Sequence, residues 1–329
     1  MVELALSQDA SLPLSSARLR RSYRVDRGFE LLTRVCGIVV LAIFAGIVVS
    51  LTVGAWPAIT AFGFSFLWTE AWNPVTERFG ALAPIYGTLV TSLIAMLIAV
   101  PVGIGIAIFL TELCPRPLRR PIGVAVELLA GIPSIIYGIW GLFVLAPILQ
   151  QSVMPWLIAA FAGVPVLSSL FAGPPYGIGV FTAGLILAIM TLPFISAITR
   201  DVFEAVPPVL KEAAYGLGAT IWEVQWNVVL PYARSGVVGG VMLALGRALG
   251  ETMAVTFVIG NAHRISTSLL APGTTISAAI ANEFTEAIGE LYGPALIELG
   301  LILFLVTASV LALAQYMLYS LERRAGGRT

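Results

Sequence analysis

The chain has 329 residues, of which 58% are hydrophobic and 11% charged, and its formal net charge is zero. So apolar a composition excludes a soluble globular domain of this length and leaves a polytopic membrane protein. The charge balance gives no reason to expect a nucleic-acid partner, and one His with two distant Cys leaves too few ligands and nucleophiles for a metal centre or a membrane-embedded enzyme.

Residues 1–30 are polar and Arg-rich and precede an apolar run too long for a cleavable leader. A cytoplasmic tail without fixed structure, leading into a retained anchor, is therefore expected. Lipid leaves no partner for open strand edges, so the spans must be helices and the fold class all-α. Six spans are expected, at roughly 31–55, 83–111, 122–149, 176–199, 235–260 and 293–320. They make residues 31–322 one transmembrane domain, followed by a short cytoplasmic tail, 323–329. Val153 to Phe171 is apolar enough for a seventh span, but Pro155, Gly163 and Pro165 break it.

Charge settles the parity. With six spans, one side receives the arginines from Arg18 to Arg34, then Arg116, Arg119 and Arg120, then Arg200, Lys211 and Arg234, then Arg323, Arg324 and Arg328. The other side receives only Arg78 and Arg264. The positive-inside bias places both termini and the 200–232 segment in the cytoplasm. Cys36 falls in the first span and Cys114 at a cytoplasmic edge, so no disulfide is expected.

The segment 200–232 is the one long polar interruption in the second half. Pro207 and Pro208 suit the entry to a short helix carrying Lys211 to Leu217, and Gly218 supplies a turn. Thr220 and Glu223 have capping-box spacing, so a second helix is expected from Ile221 to about Val229, ended by Pro231. Small residues, Ala213, Ala214 and Gly216, lie near the turn and permit close approach by another protein. A plain connection between two spans is the competing reading. Lys211, the chain's one lysine, follows no Gly-rich phosphate loop, so the chain has no Walker A sequence of its own.

Ionisable residues inside spans cost ~2.5–3.5 kcal/mol each at the bilayer centre and must face protein or water. Glu127 falls in the expected third span, Arg247 and Glu251 in the fifth and Glu298 in the sixth. Arg247 and Glu251 are four apart and, on a continuous helix, share a face and can pair. Gly236 with Gly240, and Gly246 with Gly250, have the spacing that lets a neighbouring helix approach closely. Two readings stand: a guanidinium presented to a translocation path at a subunit interface, or an ion pair that only fixes helix packing. Glu127 and Glu298 lie nearer span ends, where water or a backbone partner is expected. His263 is expected to be a solvated loop residue, and Pro101, Pro133, Pro147 and Pro193 are expected to mark kinks.

The register Glu212-Ala213-Ala214, Gly218, Val228, Leu230-Pro231 resembles the cytoplasmic signature of ABC-importer permeases at every position. Phe109–Leu113 (FLTEL), Glu127–Leu142, Leu245–Asn261 (LGRALGETMAVTFVIGN) and Ala281–Phe284 are similar to the C-type subunits of the phosphate-specific branch of these permeases. The resemblance runs from about Trp56 to Tyr319. It implies a type I importer architecture and alternating access, with 200–232 docking into an ATPase through Glu212, Ala213, Ala214, Gly218, Leu230 and Pro231. It further implies a second homologous permease, an ATPase dimer holding ATP and Mg, an extracytoplasmic phosphate-binding protein and a cytoplasmic phosphate-signalling regulator. Arg247 and Glu251 match positions implicated in transport. If Glu251 is ionised beside Arg247, it could accept a hydrogen bond from the proton that phosphate carries at neutral pH and repel sulfate. Permeases for sulfate or molybdate, and a proton-coupled carrier using Glu127, Glu251 or Glu298, are the alternatives.

Overall fold

The computed structural model describes the backbone of residues 16–326 and the side chains of residues 26–320. The described residues are helical apart from loops and one isolated bridge between Asn73 and Arg78. The chain divides into two units, one up to Val53 and one from Gly54 onward. Helix α1, Ser16–Phe62, crosses from the first into the second. The first fifteen residues of the expected tail lie outside the described residues, but residues 16–30 are helical rather than irregular. Ala17, Arg18, Leu19, Arg20 and Arg21 are good helix formers, and extending an existing helix avoids the cost of nucleation.

The remaining spans are α2 (Leu82–Leu113), α4 (Ser134–Phe161), α5 (Val180–Glu204), α7 (Ile221–Leu249) and α10 (Tyr292–Ser320, continuing as helix to Gly326). With α1 they make, among the described residues, six helices long and apolar enough to cross a membrane, as expected. Shorter helices lie between them: α3 (Arg116–Ala130), α6 (Pro208–Gly216), α8 (Met253–Thr256) and α9 (Ile276–Glu283). The expected C-terminal tail is helical as far as Gly326, and residues 327–329 lie outside the described residues.

Helix α5 is the central post. Ala183, Ile186, Leu187, Met190 and Ile195 on it are buried against Ala95 and Ala99 of α2 and Ala244 of α7. Glycines set the distances. A Cβ on Gly103 or Gly184 would strike Ile195 or Ile94, so α2 and α5 touch through bare backbone. A Cβ on Gly236 or Gly240 would lie 2.6 Å from Val202 or 2.8 Å from Ile198. The Gly236 and Gly240 spacing of α7 thus serves packing against α5 within this chain, while Gly246 faces Leu311 of α10.

Two spans begin elsewhere than the sequence suggested. The third starts at Ser134, because Gly131 and Pro133 break the helix, and residues 116–130 form the separate α3. Glu127 therefore lies on α3, outside the span, where its carboxylate meets Arg200 at 2.7 Å. The doubtful 153–171 stretch is no seventh span: its first part completes α4, and Pro165–Leu170 forms a short helix after a turn at Gly163. The fifth span starts at Ile221, since Pro231 does not end the helix there.

Four five-residue π-helical turns bear on how proline is tolerated: Phe109–Leu113, Gly141–Leu145, Leu149–Val153 and Gln225–Val229. Each ends two residues before a proline, at Pro115, Pro147, Pro155 and Pro231. A proline ring clashes with the carbonyl four residues back and offers it no N–H. For Pro147, Pro155 and Pro231 that carbonyl lies inside the widened turn, where the backbone bonds one residue further along; Pro115 instead lies beyond the end of its helix, after the extended Cys114, and needs no such relief. Pro101 and Pro193 sit inside helices without such a turn.

Candidate functional site

Helix α7 runs antiparallel to α5, with Gly236 at Val202, Gly240 at Ile198 and Arg247 over Phe194. Phe194 lies near the middle of α5, so Arg247 sits at about half the depth of the bundle. Its Cζ is 4.5 Å from the Phe194 ring centroid, and it forms no ion pair among the described residues. The expected pairing with Glu251 is not formed. Helix α7 ends at Leu249, with Gly250 as its cap, so the four-residue spacing no longer means a shared face. The Glu251 carboxylate instead accepts the N–H of Ala254 at 3.3 Å and holds the first turn of α8.

Beyond α8 the chain runs extended beside the start of α5, where the Gly179 N–H donates to Val258 and that of Phe181 to Leu269, each at 2.8 Å. The span thus breaks at mid-depth, where broken backbone must be buried in protein or line a cavity, and Leu249, Ala254, Val255 and Val258 around the break are buried. An apolar cavity of about 320 Å³ opens nearby, lined by Leu129, Ile132, Ile136, Tyr137, Trp140 and Ile189. Glu298 is 7% exposed on the buried face of α10, and its Oε2 has no hydrogen-bond partner among the described residues.

A second candidate region lies in the 200–232 segment. Pro207 starts α6, the backbone turns at Gly218 with φ +86°, and Thr220 and Glu223 close the expected capping box. The Glu223 carboxylate accepts the Thr220 N–H at 2.8 Å, and the Thr220 hydroxyl accepts the Glu223 N–H. Helix α6 contains no buried residue, and Val209 is 70% and Leu217 91% exposed. Glu212, Ala213, Gly218 and Pro231 are exposed, while Ala214 and Leu230 pack on the cluster around Val224 and Val229. Besides the packing of Ala214, an ion pair ties α6 to the membrane bundle: Lys211 Nζ meets Glu112 Oε1 at 2.8 Å, both largely shielded from solvent. Sequence reasoning missed this pair, although Glu112 belongs to the FLTEL motif and Lys211 precedes Glu212.

His263 is not a solvated residue. Its ring stacks on Trp72 at 4.8 Å between centroids, and its Nε2 lies 2.6 Å from Glu283 Oε1. Glu283 also accepts from Trp72 Nε1 at 2.6 Å and from the Tyr292 hydroxyl at 2.7 Å. Burial alone would raise the Glu283 carboxyl, but the hydrogen bonds from His263, Tyr292 and Trp72 hold it below the ordinary carboxylate value.

Residues 99–326 match the family described as binding-protein-dependent transport system inner membrane component. The chain belongs to this family. It is 68% identical over 94% of its length to a phosphate transport system permease protein PstC from Mesorhizobium japonicum, covering 95% of that protein. It is 58% identical over 91% of its length to the protein of the same name from Pasteurella multocida, covering 93% of it. Among solved structures it resembles a chain of a bacterial alginate ABC transporter, crystallised with a pentasaccharide-bound periplasmic protein, with TM-score 0.58 and 18% identity over 90% of this chain and 96% of that one. That likeness shows the fold, the type I importer architecture. This transport-system component is thus a multi-pass membrane protein with an exposed short helix, α6, and at mid-depth a guanidinium without an ion pair among the described residues.

Proposed function

We propose that the chain is a permease subunit of an ATP-driven importer that carries inorganic phosphate across the cytoplasmic membrane by alternating access. The relative 68% identical to it, a phosphate transport system permease protein, carries the substrate reading. The charge distribution supports an orientation with both termini and α6 in the cytoplasm. Helix α6 and its turn, including Glu212, Ala213, Ala214 and Gly218, dock into an ATPase subunit that supplies the ATP and Mg chemistry, with Leu230 and Pro231 setting the following helix. The exposure of α6, with no buried residue, is what supports this role. Arg247 lines the path, since an exposed guanidinium at that depth must meet water, a passing anion or a second permease subunit rather than lipid. Glu251 shapes the backbone break beside it. A homologous second permease and an extracytoplasmic binding protein complete the assembly, and a cytoplasmic phosphate-signalling regulator is a further partner.

The test is labelled phosphate uptake in cells lacking the chain, with and without its re-expression, with the ATPase active or inactivated and with sulfate in excess. Uptake is expected to need both proteins and to ignore sulfate. Indifference to the ATPase would replace this reading with an ion-coupled carrier, and suppression by sulfate with another oxyanion permease.

A further inference from the structure

Helix α3 meets the end of α5 around a cleft of about 350 Å³ lined by Arg116, Arg119, Arg120, Glu127, Arg200 and Glu204. Four arginines face two glutamates, so the lining has an excess of two positive charges. The arginines are not equivalent. Arg200 is engaged, holding Glu127 at 2.7 Å and Asp201 at 3.0 Å, and Gly123 leaves room for its guanidinium, which a Cβ there would meet at 2.9 Å. Arg119 donates to the Thr111 carbonyl, while its Nε is buried without a partner. Arg116 and Arg120, one helical turn apart, have no carboxylate within 4 Å among the described residues. Two like charges in that relation repel each other unless an anion lies between them.

We propose that this cleft binds a phosphoryl anion, gripped by Arg116 and Arg120 with Arg119 behind them. Guanidinium forks match the geometry of phosphate oxygens, and two of them on one face form a bidentate grip that a single exposed charge cannot. The surroundings fit a phosphoryl group delivered by the membrane: Val124 and Leu128, one and two turns beyond Arg120 along the flank of α3, are 46% and 69% exposed. A helix with an apolar side and arginines beside it lies at the headgroup level with its apolar side toward acyl chains. The same grip accepts free phosphate from the cytoplasm. The inference rests on the cytoplasmic orientation of α3, but not on phosphate being the transported substrate.

The experiment uses the transporter purified with its accompanying subunits and reconstituted into nanodiscs. In one arm, native mass spectrometry compares retention of phosphatidylglycerol with that of phosphatidylcholine. In the other, equilibrium binding of labelled inorganic phosphate is measured in phosphatidylcholine alone. The comparison is between wild type, R116Q/R120Q and R116K/R120K. Loss of each charge-assisted bond removes about tenfold in affinity. A phosphatidylglycerol preference that falls about tenfold or more in R116Q/R120Q, with partial retention in R116K/R120K, identifies the lipid as the source. The same pattern in the second arm identifies free phosphate. Should neither ligand be retained in an arginine-dependent way, the proposal is overturned. R116K/R120K keeps the charge that topology requires, so the comparison survives if the glutamine variant does not assemble.

Discussion

Arg247 stands on a balance of magnitudes. A charge at mid-depth costs ~2.5–3.5 kcal/mol, and a ring beneath a guanidinium returns about 0.5–2 kcal/mol. Phe194 alone does not offset the burial, so an assembled neighbour or an aqueous path supplies the difference. Arg247→Gln is expected to lower phosphate uptake about tenfold or more while the complex still assembles, read from uptake and from co-purification of the subunits. Failure to assemble would instead make Arg247 a packing residue. Glu283 makes a prediction of opposite character. Its folded-state value lies below the ordinary 4.5, so its contribution to stability is complete above about pH 4.5 and is lost as pH falls through the depressed value. Glu283→Gln should lower the unfolding temperature at neutral pH, and the gap from wild type should narrow in acid. Arg247 was visible as a candidate in the sequence because a charge inside an apolar run is conspicuous. Glu251 was misread because spacing implies a common face only while the helix continues, and Gly250 ends it. His263 was misread because its partners, Trp72 and Glu283, are brought to it by tertiary folding that no local pattern encodes.

Helix α6 is a short element with no core of its own, held by the packing of Ala214 and by one shielded ion pair. Breaking that pair by Glu112→Gln or Lys211→Met leaves a charge without its partner and is expected to cost about 1–3 kcal/mol. ATP hydrolysis should then proceed with less uptake per ATP. The double variant should recover part of the stability, a coupling that unfolding measurements on all four proteins would quantify. The α5–α7 seam is stiffer. Gly240→Leu forces a side chain against Ile198 and is expected to lower stability by about 1–3 kcal/mol, visible as a lower melting temperature of the detergent-solubilised protein. The existence of each span was legible from hydropathy, and the capping box from its two side chains. The boundaries of the third and fifth spans were not, because proline has two outcomes. At Pro133, after Gly131, it ends one helix and starts another, whereas at Pro231 a widened turn absorbs it.

Six spans among the described residues and a skewed arginine distribution predict a topology that reporter fusions can check. Fusions in the 205–220 region and after Gly326 should report cytoplasm, and fusions at 172–176 and 284–290 the opposite face; one reversed pair would invalidate the orientation and the cleft proposal with it. The overall plan was the most legible level, since the bilayer admits few solutions for a chain this apolar. The π-helical turns bear on how such a chain changes length over evolutionary time. Each is, in effect, a single inserted residue stored in a helix whose faces above and below remain aligned. Removing one residue from Leu149–Val153 or Gln225–Val229, with Pro155 or Pro231 replaced at the same time, would return that stretch to ordinary pitch without rotating the flanking faces, whereas a one-residue deletion in α5 would turn half of a buried post by about 100°. These segments are therefore where the lineage can gain or shed single codons within a membrane helix while its packing stays intact.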